Sequence, residues 1–361
     1  MKKRLPYVDQ LKGIAIFLVV FGHLIQNDTI ESTTHPLFSW IYAFHMPLFM
    51  FISGYIAFKT VHIASAGEFL KFVQKKATVL LVPYFAWSLI VNEFFFTKET
   101  DFDFLGKAEL LIKTGGGLWF LWYLFFILIC YSLFYIPSVK FNKKNRIAVD
   151  VLLLGALFIF LVLIRPLHLL TSSNSFLMYL GFFFIGIFIS KYPVLSNLLL
   201  NRWIFSLCFI LFVLLSGKYE FGNESLVNLA IKISVAVLAI ASLYYIIRNI
   251  SWNPVVDKYV QSWGRGSLVI YATHFLIFRI TSGEPILMNL SLVSLTVVLG
   301  LFSVIIIAAC LFVQKIAGLC PPLNFILYGQ KSRFRGDSPL YSASLKLQET
   351  HKQEKELVTN Y

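Results

Sequence analysis

The chain has 361 residues, of which 58% are hydrophobic and 14% charged, with a mean hydropathy of +0.76 and a formal net charge of +13. Soluble domains carry roughly 25% charged residues, so this composition excludes an ordinary soluble enzyme or binding module. The basic balance does not point to nucleic acid either, because Lys and Arg are gathered in short segments between apolar runs.

Ten apolar stretches of about 15–23 residues can be marked, at 11–27, 37–58, 77–96, 117–137, 148–164, 175–190, 203–217, 226–247, 267–282 and 289–312. They predict an all-α polytopic membrane bundle of about ten transmembrane helices, since only helices or closed barrels satisfy the backbone in lipid and these runs are too continuous for barrel strands. Placing the N-terminus inside makes the charges alternate. Inner segments hold Lys2, Lys3 and Arg4, then Lys59, Lys71, Lys75 and Lys76, then Lys140, Lys143, Lys144 and Arg146, and so on to Lys315, Lys331, Arg333 and Arg335. Outer segments hold few Lys or Arg, and it is there that Asp28, Glu31, Glu99, Asp101, Asp103, Glu220, Glu224 and Glu284 fall. Both termini are therefore expected in the cytoplasm, with a bundle over 1–315 and a polar, partly disordered cytoplasmic tail over 316–361.

The first stretch opens like a secretory signal, but Asp9 and Lys12 interrupt its inner end and no small-residue cleavage site follows, so it reads as a retained helix. Lys12 and His23 are eleven residues apart, roughly three turns, which returns them to one face about 16 Å apart along the axis. Asp9 lies one turn before Lys12. Titratable groups in lipid cost about 2.5–3.5 kcal/mol each, so they mark pathways or catalytic sites more often than packing. One helix thus presents a cation near one membrane surface and an imidazole near the other. The bland alternatives are a snorkelling Lys12 and a His23 that caps a helix end.

The second stretch reads Phe44-His45-Met46-Pro47 and then Ser53-Gly54-Tyr55. Pro47 kinks the helix, Ser53-Gly54 permits close helix contact, and His45 stands near the outer face. Gly115-Gly116-Gly117 precedes Leu118 and Trp119 at the outer entry to the fourth stretch, with Tyr123 one turn on; this is either an interfacial aromatic belt or a stacking platform. The ninth stretch carries Tyr271 and His274 at i, i+3 in mid-membrane, where a histidine needs a partner or water. Glu93, Arg165, Lys232 and Arg279 fall near outer helix ends and line a vestibule or snorkel. Cys130, Cys208, Cys310 and Cys320 show no metal or redox spacing, and His-Glu-x-x-His and phosphate-binding glycine loops are absent. Sequons at Asn27, Asn223 and Asn289 carry little information.

Tyr7-Val-Asp9 through Lys12-Gly to Gly22-His23, Phe44-His45-Met-Pro47, Ser53-Gly54-Tyr, Leu118-Trp119 and the late Tyr271-x-x-His274 together resemble the acyltransferase-3 family of integral-membrane acyltransferases, the fucose 4-O-acetylase-like branch looking nearest. The most diagnostic piece is the basic residue, ten residues and histidine, with Lys12 where many members have Arg. The resemblance implies O-acylation, usually O-acetylation, of a surface or lipid-linked carbohydrate by cytoplasmic acetyl-coenzyme A, with no bound cofactor. It gives Lys12, beside Asp9, to the donor and His23 to base or nucleophile. His45 and Ser53 shape the acyl path, and Trp119, Tyr123, Tyr271 and His274 hold the acceptor. The implied partners are acyl-CoA, a glycan and membrane lipid, with no nucleic acid, in a bacterial cytoplasmic membrane. A translocase of lipid-linked sugar or exopolysaccharide is the main alternative; it would favour internal repeats, and none is evident.

Overall fold

A computed structural model describes residues 5–28, 35–91, 104–114, 117–142, 144, 146–164, 174–281 and 291–330. Every regular element among them is helical: α1 (Pro6–Asp28), α2 (Pro36–Thr60), α3 (Ala66–Phe85) with a π-helical continuation over Ala86–Val91, α4 (Phe104–Thr114) and α5 (Trp119–Phe141). The series continues with α6 (Ile147–Leu163), α7 (Asn174–Lys191), α8 (Pro193–Leu199), α9 (Arg202–Ser216), α10 (Leu226–Asn249), α11 (Pro254–Arg265), α12 (Ser267–Thr281), α13 (Leu292–Ala317) and α14 (Pro321–Tyr328). Six described helices, α1, α2, α5, α7, α10 and α13, are long and apolar enough to cross a membrane, seven if α8 and α9, which meet at 64°, form one span. α6 and most of α12 are apolar but shorter. Glu93, Gly115, Gly116, Arg165, Asn289 and residues 331–361 lie outside the described residues, as do the side chains of Asn27 and Arg279.

The starts follow helix chemistry. Pro36 supplies the fixed φ of a first turn while the His35 ring accepts the Leu37 amide at 3.3 Å. Ser65, Ser225, Asn253 and Ser291 cap α3, α10, α11 and α13 by accepting orphan amides. α14 ends on Gly329, whose φ of +61° suits glycine.

α2 is the spine. It is buried without a break from Ala43 to Ile52, between α1, α7 and α10. α2 and α7 cross backbone to backbone: a Cβ on Gly54 would fall on the Phe183 carbonyl, and one on Gly186 on the Phe51 carbonyl. This is the close contact foreseen at Ser53-Gly54.

Three features were not foreseen. The segment after α10 folds into the amphipathic α11, which crosses α1 so closely that a Cβ on Gly13 would meet the Val260 carbonyl and one on Gly264 the Asp9 carbonyl. Gln10 Nε2 donates to Asp257 Oδ1 at 2.7 Å, and the Phe17 and Trp263 rings stack at 6.1 Å. Where α5, α6 and α7 meet, Asp150 is fully buried and accepts from Lys191 Nζ (2.6 Å), Tyr192 Oη (2.7 Å), Ser138 Oγ (2.8 Å) and Asn142 Nδ2 (2.8 Å). The packed bundle also runs beyond residue 315: Tyr328 on α14 is fully buried with its hydroxyl 3.0 Å from Thr273 Oγ1, and Trp87 Nε1 donates to the Leu327 carbonyl at 2.8 Å.

Candidate functional site

His23 sits on α1 above Lys12, on a stripe that also holds the buried Ile16 and Val19. α2 brings Tyr42 and His45 alongside, and α12 brings Tyr271, His274 and Phe275. The His23 ring lies 5.4 Å from that of His274 and 4.7 Å from that of Phe275, and it is within electrostatic reach of His45. His45 packs on Tyr42 at 5.0 Å. Three imidazoles from three helices therefore converge at one end of the bundle, with the half-buried Lys232 of α10 in reach of His45 and 5.5 Å from the Tyr219 ring.

The hydrogen bonds fix what these rings offer. His45 Nδ1 is 2.7 Å from the Ile41 carbonyl and His274 Nδ1 is 3.0 Å from that of Ile270, and a carbonyl can only accept. Each neutral ring therefore carries its proton on Nδ1 and its lone pair on Nε2. His274 Nε2 is buried and has no hydrogen-bond partner among the described residues. His23 Nδ1 meets Gln26 Oε1 at 3.1 Å and Tyr42 Oη at 3.1 Å, and the Tyr42 hydroxyl donates to Gln26 Oε1 at 2.6 Å. Donation from Nδ1 to Gln26 leaves Nε2 of His23 as the basic nitrogen. The cluster is rich in acceptors and suits a ligand that brings hydroxyl donors. Among the described residues, no three His, Cys, Asp or Glu side chains are placed to hold a metal ion.

The aromatic side of the site starts at Gly117, whose φ of +65° lies in the left-handed region and whose Cβ would crowd Ser88 Oγ at 2.9 Å. That turn begins α5 with Trp119, whose ring meets Tyr123 at 5.4 Å and Tyr179 of α7 at 5.0 Å. The next residue joins this wall to the histidines: the Phe120 amide donates to Tyr271 Oη at 3.3 Å, and Tyr271 lies 6.0 Å from His274. Tyr179 is within electrostatic reach of Tyr123, Tyr219 and Tyr271.

Lys12 belongs to the other end. It is half-buried, in electrostatic reach of Lys76 on α3, which also feels Lys75. Asp9 is buried one turn below, at the α11 crossing. Ser53 is half-buried beside the α2–α7 crossing and joins neither cluster. The structure thus brings together His23, His45, Tyr271 and His274, sets Trp119 and Tyr123 beside them, and leaves Lys12 and Asp9 at the other end of α1. Tyr42, Gln26 and Tyr179 escape sequence reasoning. The one available signal was spacing, since Gln26 and Tyr42 each lie three residues from a histidine (His23 and His45).

A family model described as an acyltransferase domain matches residues 5–313. Nodulation protein NolL of Sinorhizobium fredii (strain NBRC 101917 / NGR234) is 38% identical over 124 residues, 32% of each chain. That of Mesorhizobium japonicum (strain LMG 29417 / CECT 9101 / MAFF 303099) is 36% identical over 131 residues, 34% of each. The matched region spans about a third of the length of these curated relatives. No solved structure shows significant similarity.

Proposed function

The chain belongs to the acyltransferase-3 family, and on that premise we propose that it is a membrane-bound O-acyltransferase, moving an acetyl or other short acyl group from cytoplasmic acyl-CoA to a hydroxyl of a surface or lipid-linked carbohydrate. The observation that carries this reading is the two-ended stripe of α1, with a lysine cluster at one end and an imidazole cluster at the other. Ten crossings follow if α3 with its π-helical continuation, α6, α9 and α12 span with the six long helices. Both termini then face the cytoplasm of a bacterial inner membrane, and His23 faces outward.

Lys12, Lys75 and Lys76 meet the donor's phosphates as point charges. The donor's thioester is delivered toward His23 from the lysine end, with His45 and Ser53 shaping the acyl path. Nε2 of His23 takes the proton of the acceptor hydroxyl. The hydroxyl oxygen bonds to the thioester carbonyl carbon, the C–S bond breaks, and the thiolate leaves to be protonated as the free thiol. In the two-step version His23 first carries the acyl group itself. Nε2 of His45 and His274 accepts hydrogen bonds from other acceptor hydroxyls, while Trp119, Tyr123 and Tyr271 enclose the sugar. Asp9 fixes the first turn of α1.

The test compares O-acetyl content of surface glycans in cells expressing wild type, His23→Ala or Lys12→Ala, with membrane insertion verified. Loss of O-acetyl groups in both variants is the expected result. Unchanged acetylation, with a change in the amount of glycan exported, would replace the acyltransferase by a translocase.

A further inference from the structure

The loop between α9 and α10, residues 217–225, folds back over the histidine end of the bundle. Asn228, in the first turn of α10, pins it: its Oδ1 accepts the Glu220 amide at 3.0 Å, and its Nδ2 donates to the Glu220 and Asn223 carbonyls, both at 2.7 Å. Gly222, at φ +84°, turns the chain. The loop so fixed presents Phe221, 45% exposed, edge-on to Tyr42 at 5.0 Å and to Phe38 at 5.3 Å. Beside it stand two exposed polar side chains, Glu220 and Asn223, joined by a 2.8 Å hydrogen bond from Asn223 Nδ2 to Glu220 Oε2.

We propose that Phe221, Glu220 and Asn223 form an acceptor subsite that binds the pyranose unit next to the one being acylated. The chemistry selects a sugar. A pyranose has an apolar C–H face and a rim of hydroxyls, and here one exposed aromatic ring lies beside a polar pair. Asn223 Oδ1 is taken by the Ser225 amide at 2.9 Å, which leaves the Glu220 carboxylate to accept and the second Nδ2 hydrogen of Asn223 to donate. An aromatic ring that served only to fill the core would be covered, and one that served only lipid would have no need of a polar pair held at its side. Position points the same way: Tyr42 touches Phe221 with one part of its ring and hydrogen-bonds His23 through its hydroxyl. A sugar on Phe221 therefore lies one aromatic ring from the base. The backbone of the loop is already ordered by Asn228, so binding orders little new chain and loses little entropy.

This subsite rests on the carbohydrate-acceptor reading above, and the experiment separates the two. Purified full-length protein in detergent is given radiolabelled acetyl-coenzyme A and a mixture of di- and trisaccharides of hexoses, 6-deoxyhexoses and N-acetylhexosamines. Acetyl transfer and saturation-transfer NMR contact to the sugars are both read. Phe221→Ala is expected to raise the acceptor KM by on the order of tenfold, the worth of one aromatic contact, with the donor KM unchanged. Phe221→Trp should restore it, and Glu220→Gln should raise it by a smaller factor. If wild type transfers acetyl and Phe221→Ala does so with the same acceptor KM, the subsite is wrong and the acyltransferase stands. Saturation transfer that depends on Phe221, without any acetyl transfer, would leave a sugar-binding site at Phe221 and overturn its role as an acceptor subsite together with the acyltransferase. No contact between wild type and any sugar overturns the subsite.

Discussion

An imidazole takes a proton only through the nitrogen that carries its lone pair, so the partners of the other nitrogen decide what His23 can do. Gln26 Oε1 and Tyr42 Oη both lie 3.1 Å from Nδ1, which directs the lone pair to Nε2. On the proposed role of His23 as general base, His23→Ala should lower kcat by about 10²–10⁴, the worth of general base catalysis. Tyr42→Phe keeps the packing and removes one hydroxyl, which costs roughly 0.5–1.5 kcal/mol; its kcat should fall by a few-fold to tenfold while the donor KM holds. A Tyr42→Phe enzyme with full kcat would show that the tautomer is set without it. The Lys12 to His23 stripe was legible because a helix returns every eleventh residue to one face and lipid makes both side chains conspicuous. Gln26 and Tyr42 were not legible: each is an ordinary polar residue near a helix end until α2 is laid against α1. His274 was legible as a buried histidine, but its distance to His23 depends on how α12 packs, which local pattern does not encode.

Between helices the same limit takes another form. α11 did not register in a search for apolar runs because half of its surface is polar, although Asn253-Pro254 is a strong start signal. What holds it to α1 is the pair of glycines, Gly13 and Gly264, each facing a backbone carbonyl that has no room to move. Gly264→Ala should therefore push the helices apart, at a cost of about 1–3 kcal/mol for overpacking. The displaced atom belongs to Asp9, one turn from Lys12, so a lower Tm with a raised donor KM and an unchanged acceptor KM is expected. A raised acceptor KM instead would show that the two ends of α1 are not separable. Hydrogen bonds from Gln10 and then Gln261 hold the Asp257 carboxyl below the usual carboxylate range. Its contribution to the crossing is present above the ordinary carboxylate pKa and lost as pH falls through the lower folded value. Melting followed from neutral to acid pH should thus show the Asp257→Asn and wild-type curves converging only below that range. The Gly54 and Gly186 crossing was half legible, since Ser53-Gly54 advertised a small-residue contact but not its partner on α7.

At the scale of the bundle, the problem is to hold charges in lipid without losing the fold. Asp150 and Lys191 were the least legible part of the chain, one falling inside an apolar run and the other at the end of one; only the packing of α5, α6 and α7 shows that they meet at 2.6 Å. A buried carboxylate deprived of its cation is left with its desolvation penalty, typically about 3–5 kcal/mol, whereas replacing both partners by apolar groups is close to neutral. The pair is remote in role from the histidine cluster, so it separates stability from chemistry. Lys191→Met should lower Tm steeply and reduce the yield of folded protein, and the double variant Lys191→Met with Asp150→Leu should recover most of that loss. Acetyl transfer per folded molecule should stay near wild type in the double variant, because neither residue touches Lys12, His23 or the aromatic wall. If the double variant is as unstable as the single one, the network of Ser138, Asn142 and Tyr192 around the carboxylate, and not the charge pair, is what ties α6 into the bundle.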